Sequence, residues 1–163
     1  MSSISKYLPT ALAVFIAFVF LQSLAFKFTG SEETVIIFST IGQWMADIGL
    51  PGGFADGFAQ YGGVAVGIGE LLASMLVLVP RTRLWGAILG WFVMSGAIFF
   101  HLFTPLGVVR VVDAAGNTDG GILFMMACGV WLSSLGLIYL NRHKLPGWQR
   151  YFGSDPQAQK VTP

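Results

Sequence analysis

Charged residues are scarce in this sequence. Only 10% of its 163 residues are Asp, Glu, Lys or Arg, whereas 55% are hydrophobic and 14% are aromatic. A water-soluble domain usually carries about 25% charged residues, so this chain lacks the polar side chains that would cover its surface in water. The net charge of +1 gives no basis for binding nucleic acid. The composition therefore favours an integral membrane protein that forms one compact unit.

Cysteine and histidine are scarcer still. Cys128 is the only cysteine, which excludes an internal disulfide and a Cys-x-x-Cys redox pair. The two histidines, His101 and His143, fall at opposite ends of the predicted bundle, so they cannot ligate one haem within a single chain. No recognisable metal-ligand spacing occurs either. We therefore expect no metal site and no covalently bound cofactor.

Four apolar runs are each long enough to cross a hydrocarbon core, which takes about 20 residues. They cover roughly residues 8–28, 58–79, 84–103 and 121–140. Each is expected to be helical, because a membrane segment must satisfy its own backbone hydrogen bonds and none of these runs alternates like a barrel strand. The sequence thus predicts an all-α fold, an integral membrane four-helix bundle over residues 1–145. Residues 146–163 are predicted to form a cytoplasmic tail.

The distribution of basic residues predicts the orientation of the bundle. Two of the nine Lys and Arg residues, Lys27 and Arg110, fall on one side, and the other seven fall on the opposite side. Because an excess of basic residues marks the cytoplasmic side, both termini and the short turn at 80–83 are expected there. The two longer loops are expected outside. The outer side also carries six acidic residues, namely Glu32, Glu33, Asp47, Asp56, Asp113 and Asp119.

A short amphipathic helix is predicted in the first outer loop, over about residues 32–48. Ser31 is placed to cap it, Glu32 and Glu33 occupy its first turn, and Gly49 and Pro51 would end it. We expect this helix either to lie in the membrane interface or to fold over the bundle, as a lid or as a docking surface for a partner. Its apolar face is predicted to consist of Ile37, Ile41, Trp44 and Ile48.

Small residues predict how the membrane helices pack. Gly63 and Gly67 recur at helical spacing on the second helix, and Gly86 and Gly90 do so on the third. Small side chains let two backbones approach closely in lipid. We therefore expect the second and third helices to pack directly along these glycines.

Glu70 is the most informative polar residue. It lies near the middle of the second membrane helix, on the same stripe as Gly63 and Gly67. An ionisable side chain at that depth is costly and by default indicates a functional site. The alternative is a protonated glutamic acid that only hydrogen-bonds a neighbouring helix.

Three further polar residues are expected near Glu70. His101 and Gln22 lie at similar depths in the outer half of their helices, and Lys27 lies close to the outer boundary. Lys27 alone is equally consistent with a snorkelling lysine, and His101 with a packed or interfacial histidine. Taken together, Glu70, His101, Gln22 and Lys27 predict a ligand-binding or proton-relay cleft that opens outward.

Five short motifs follow one another along the chain. They are Leu-Ala-Phe-Lys-Phe-Thr-Gly ending the first helix, Gly-Ile-Gly-Glu-Leu-Leu within the second, the Pro-Arg-Thr-Arg turn, Phe-Phe-His ending the third, and Asp-Gly-Gly-Ile-Leu-Phe opening the fourth. In their order and spacing the chain resembles the DoxX-like family of small four-helix membrane proteins, over nearly its whole length.

The resemblance implies a bacterial or archaeal cytoplasmic membrane and quinone-linked redox work. Some members of the family resemble membrane subunits of thiosulfate:quinone oxidoreductase or of thiol-stress complexes. Others assist the maturation of methylamine dehydrogenase, which implies a role without catalysis. Function inferred from a family likeness is analogy, so both expectations are carried forward.

Two functional hypotheses follow. In the first, the chain is the membrane subunit of a quinone-linked redox system of thiol or thiosulfate type, in which Glu70 and His101 bind a quinone carbonyl or move its protons. In the second, it is a non-catalytic membrane anchor or an assembly subunit of a larger complex. Both hypotheses require the lipid bilayer and a protein partner or a homo-oligomer. A small-solute transporter is a weaker third option, because no inverted repeat occurs.

Overall fold

The structure is a computed structural model that describes residues 3–145, with side chains from residue 7 onward. The predicted tail at 146–163 lies outside the described residues. Within the described range the fold is helical, with one isolated β-bridge between Val111 and Thr118. The helices are α1 (Ser3–Thr29), α2 (Glu32–Asp47), α3 (Gly52–Leu78), α4 (Arg83–Phe103) and α5 (Ile122–Asn141), followed by a 3₁₀ turn, Arg142–Lys144.

Four of these helices are long and apolar enough to cross a membrane. The spans are Tyr7–Thr29, Gly52–Leu78, Arg83–Phe103 and Ile122–Lys144. The prediction of an all-α, four-helix membrane fold is confirmed. Helix α3 begins at Gly52 rather than near residue 58, because its first turns pack against α2 and do not have to be apolar all round.

The membrane helices form a closed ring in which α1 packs against α3 and α5, and α4 packs against the same two helices. Successive membrane helices alternate in direction, so the bundle has two distinct ends. The α2 end carries α2 and the loop 104–121. The Pro80 end carries the turn between α3 and α4. There the ammonium of Lys144 donates to the carbonyl of Pro80 at 3.2 Å and ties the end of α5 to that turn.

Helix α2 folds back along the first half of α3. Glycines make the close approach possible, because a Cβ added at Gly62 would lie 2.6 Å from the ring of Phe38, and one added at Gly42 would lie 2.7 Å from the Cβ of Ala59. Of the two predicted placements, the structure therefore has the helix folded over the bundle.

The buried face of α2 agrees with the predicted one except at its end. Ile41 is buried, and Ile37 and Trp44 are partly buried and pack against the apolar cluster that contains it. Trp44 faces α4, where its ring meets that of Phe100 at a centroid distance of 6.3 Å. The prediction was wrong for Ile48, which is 55% exposed. The residues that are buried on α2 are Thr34, Phe38, Ile41, Gly42 and Met45.

The predicted glycine contact between α3 and α4 forms at one position only. A Cβ added at Gly86 would collide with the backbone nitrogen of Val77, so α3 and α4 touch there backbone to backbone. Gly90, one turn further along α4, faces α1 instead, with the ring of Phe20 3.2 Å from the position of an added Cβ. Helices α3 and α4 are therefore in close contact where they cross, at Gly86, and not along both glycines of α4.

The glycines of α3 also serve other interfaces. A Cβ added at Gly63 would lie 2.8 Å from the Thr34 methyl group on α2, and one added at Gly67 would lie 2.8 Å from the ring of Phe28 on α1. Gly63 therefore makes room for α2, and Gly67 makes room for α1. The expectation that both line the α3–α4 contact was wrong, because α3 is surrounded by three helices.

Substitution of Gly86 tests the backbone contact. We predict that Gly86→Ala lowers the free energy of unfolding by roughly 1–3 kcal/mol, because an added methyl group has no room and forces the helices apart. Gly96→Ala on the same helix is the control, since no atom lies within 4 Å of its added Cβ. Unfolding of both variants in detergent, followed by circular dichroism, is the measurement. Equal stability of the two variants would contradict the packing.

Candidate functional site

Helices α1 and α3 bring three polar side chains together inside the bundle. The ammonium of Lys27 lies 2.9 Å from a carboxylate oxygen of Glu70 and donates to the hydroxyl of Ser23 at 3.0 Å. Ser23 in turn donates to the same carboxylate oxygen at 2.7 Å. Each side chain thus contacts the other two, and we call this group the Lys27–Glu70 cluster.

The local sequence explains why the cluster forms. Ser23 and Lys27 are four residues apart on α1, so they lie on the same face, one turn apart. On α3, Gly67 precedes Glu70 by one turn and gives α1 the space to come close. The result is a carboxylate from one helix directly opposite an ammonium from the next.

Charge compensation makes the cluster tolerable in a membrane. Glu70 is 3% exposed, and the side chain of Lys27 is 17% exposed. An isolated carboxylate at such a position would take up a proton. With the Lys27 ammonium against it and the Ser23 hydroxyl bonded to it, the carboxylate of Glu70 has the partners that a buried charge needs.

A cleft of about 270 Å³ opens beside the cluster, between the end of α1, the first turns of α2, and α3. Its lining is mixed, with the polar side chains of Thr34 and Gln60 and the apolar side chains of Val35 and Val64. Lys27 belongs both to this lining and to the cluster. An ammonium has three N–H donors. Two of those of Lys27 bind Glu70 and Ser23, so one remains for an acceptor in the cleft.

His101 lies elsewhere. Its Nδ1 is 2.6 Å from the carbonyl oxygen of Gly107, and its ring packs edge-on against Phe124 at 5.6 Å. It is 8% exposed and sits under the loop 104–121. Among the described residues no hydrogen bond or ion pair connects it to the Lys27–Glu70 cluster.

Gln22 also does not join the cluster. It is exposed on α1 and makes no hydrogen bond to any residue from 7 to 145. Depth along a helix does not fix direction, because neighbouring residues point about 100° apart. Gln22 therefore points away from the face that carries Ser23. Of the four predicted site residues, the structure brings Glu70 and Lys27 together and separates Gln22 and His101 from them.

Ser23 is a site residue that the sequence reasoning missed. The available signal was its spacing of four residues from Lys27, which places both on the same face of a membrane helix. A hydroxyl one turn from a lysine in a membrane helix is a natural bridge to a buried carboxylate.

A second charged group lies at the α2 end. Arg110 is 4% exposed and forms an ion pair with Glu33 of α2 through Nη2. Its Nε lies 3.7 Å from a carboxylate oxygen of Asp119, whose other oxygen accepts the backbone N–H of Arg110 at 3.1 Å. The sequence indicated these residues only as outer-side charges. The signal for their pairing was a lone arginine in loops otherwise rich in acids.

Asp119 is fixed in its charged form. Burial raises the pKa of Asp119, but the N–H groups of Gly121, Arg110 and Leu123 and the Arg110 guanidinium together hold that pKa below its ordinary value. A carboxyl group whose pKa is lowered by folding stabilises the fold above the unfolded pKa, and this contribution is lost as the pH falls below about 4. Asp119 thus fastens the loop to the start of α5 at neutral pH.

No family model, curated protein or solved structure matches this chain.

Removing the ammonium of Lys27 tests the charge compensation. We predict that Lys27→Met lowers the free energy of unfolding by roughly 3–5 kcal/mol, because it leaves Glu70 as an uncompensated buried charge. Adding Glu70→Gln to Lys27→Met should recover most of that loss, since the amide carries no charge. Chemical unfolding of Lys27→Met, of Glu70→Gln and of the double variant in lipid nanodiscs is the measurement.

Lys144→Met is the matched control, because the Lys144 ammonium bonds an exposed backbone carbonyl at the Pro80 end. Its effect should stay within about 0.5 kcal/mol. Independent, additive effects of Lys27→Met and Glu70→Gln would show that the two side chains are not coupled.

Proposed function

We propose that this chain is a DoxX-like membrane subunit of a quinone-linked redox system, of thiol or thiosulfate type, in the cytoplasmic membrane of a bacterium or archaeon. The observation that carries the proposal is a compensated ion pair, Lys27–Glu70, at the wall of a cleft of about 270 Å³. Perturbed or paired charges inside a cleft are the usual mark of a functional site.

The cluster offers two chemical functions to a quinone head group. The remaining N–H of Lys27 can donate to a ring carbonyl oxygen, which orients the ring and stabilises negative charge on that oxygen. The Glu70 carboxylate, bonded to Ser23 at 2.7 Å, is a proton acceptor within hydrogen-bonding reach of the same lysine. In this role the Lys27 ammonium gives a proton to the reduced ring oxygen and regains one through Glu70, which takes it up from solvent, and the electrons come from a partner protein.

The size and rim of the cleft favour a ligand with an apolar tail. A volume of about 270 Å³ lies below the 300–1,000 Å³ of pockets that enclose a whole ligand, so it suits a head group only. Val35 and Val64, on two walls of the cleft, are 56% and 43% exposed. An isoprenoid tail attached to the head group can extend out of the cleft across these side chains and lie in the lipid.

Quinone binding is the direct test. We predict that the purified protein in nanodiscs binds a short-chain ubiquinone or menadione, detected by quenching of tryptophan fluorescence. Lys27→Met should weaken binding about ten-fold or more, because a hydrogen bond from a charged donor is lost. Lys144→Met, which removes the same charge far from the cleft, should leave the affinity unchanged. Equal affinities of the two variants would exclude the cleft as the quinone site.

The second candidate function is that of a non-catalytic anchor or assembly subunit. It is favoured by the observation that Glu70 and Lys27 already pair with each other, as side chains that only join α1 to α3 would. Under this reading the folded wild-type protein binds neither quinone, and Lys27→Met changes stability alone. The same titration therefore separates the two functions.

We further propose that both termini face the cytoplasm, as the distribution of basic residues indicates. Single cysteines at Ser3 and Asn117, introduced into a Cys128→Ala background, should be labelled by a membrane-impermeant maleimide from opposite sides of sealed vesicles. Ser3 should be labelled only after access to the cytoplasmic face. Labelling of both positions from one side would overturn the topology.

A further inference from the structure

The first turn of α2 is fastened to the loop 104–121 by two acidic side chains. Glu33 pairs with the guanidinium of Arg110, and a carboxylate oxygen of Glu32 accepts the backbone N–H of Ala114 at 2.6 Å. Both contacts cross between elements far apart in sequence. They therefore fix the position of α2 relative to the loop.

The same turn of α2 forms one wall of the cleft beside Lys27. Thr34 and Val35 line the cleft, and they follow Glu33 directly. Only Gly30 and Ser31 separate α2 from α1, and Gly30 has a left-handed φ of +61°, which is a conformation that glycine adopts at little cost. The wall is therefore joined to α1 by a short linker, packs against α3 through Thr34, and meets the loop contacts on its other side.

Asp119 holds Arg110 in the loop, through an ion pair with Nε at 3.7 Å and a hydrogen bond from the backbone N–H at 3.1 Å. The Nη2 of Arg110 donates to Glu33, whereas Nε and Nη1 are buried without a hydrogen-bond partner within residues 7–145. The Glu33 side chain is 24% exposed, against 3% for that of Arg110. The ion pair therefore joins a fixed, buried cation to an accessible carboxylate, and it can be broken from the Glu33 side.

We propose that the Glu33–Arg110 ion pair is the latch of a gate over the Lys27–Glu70 cluster. With the pair intact, the first turn of α2 restricts the cleft to about 270 Å³. When the pair is broken, this turn swings about Gly30, and the cleft widens to admit water and ligand. The loop 104–121 thereby controls access to a cleft that none of its residues lines. The gate rests on the proposed function, in which the cleft is the ligand site.

The gate is tested by thiol accessibility, which needs no ligand and so can fail or succeed independently of quinone binding. Thr34→Cys in a Cys128→Ala background is the reporter, because Thr34 is 8% exposed and lines the cleft. Every variant that is compared carries this substitution, so the lost hydrogen bond to Phe26 is common to all of them. Maleimide reacts with the thiolate, so the labelling rate reports how often water reaches this position. Glu33→Gln should make labelling about ten-fold faster, because the charge-assisted bond is lost.

Asp47→Asn is the matched control. Asp47 lies on the same helix and accepts a hydrogen bond from Gln43, also on α2, so its loss does not free α2 from the loop. In this variant the thiol of Thr34→Cys should be labelled at the same rate as in the protein that carries only the reporter substitution. Arg110→Met should label as fast as Glu33→Gln, with circular dichroism showing that each variant remains helical. If both folded variants label no faster than Asp47→Asn, the ion pair is not a latch.

Discussion

The attraction between Lys27 and Glu70 is the interaction on which the site depends. Lipid cannot solvate either charge, so the two side chains are stable inside the bundle only in contact with each other. The 2.9 Å contact fixes the rotation of α1 relative to α3 and brings the end of α1 beside the middle of α3. The cleft arises at this point, because α1 ends while α3 continues toward the α2 end.

Helix α2 completes the cleft through backbone packing. Without side chains at Gly42 and Gly62, α2 can lie close against α3 and can place its first turn above the end of α1. A hydrogen bond from Thr34 to the carbonyl of Phe26 at 3.1 Å fastens this turn to α1. The polar floor of the cleft therefore comes from the membrane helices, and one wall comes from the first turn of α2.

The sequence alone predicts the membrane helices well, because hydrocarbon imposes length and apolar composition on each one. It also indicates Glu70, since a carboxylate within an apolar run stands out. The direction in which a side chain points around its helix axis is harder to predict. Gln22 and His101 lie in the halves of α1 and α4 nearer the α2 end, but the helix rotations set by Gly86 against α3 and by the Lys27–Glu70 contact turn them away from the cluster. Those rotations depend on contacts between distant segments, which local periodicity does not report.

The two charged clusters differ in how fully their polar groups are paired. In the Lys27–Glu70 cluster three side chains contact one another, and Lys27 also lines the cleft. At the α2 end, Arg110 keeps two buried nitrogens without a hydrogen-bond partner within the described range and relies on Glu33 for its side-chain hydrogen bond. An unsatisfied buried donor is costly. Local opening begins at the least stable contacts, and the gate that we propose places those contacts at the wall of the cleft and not at its floor.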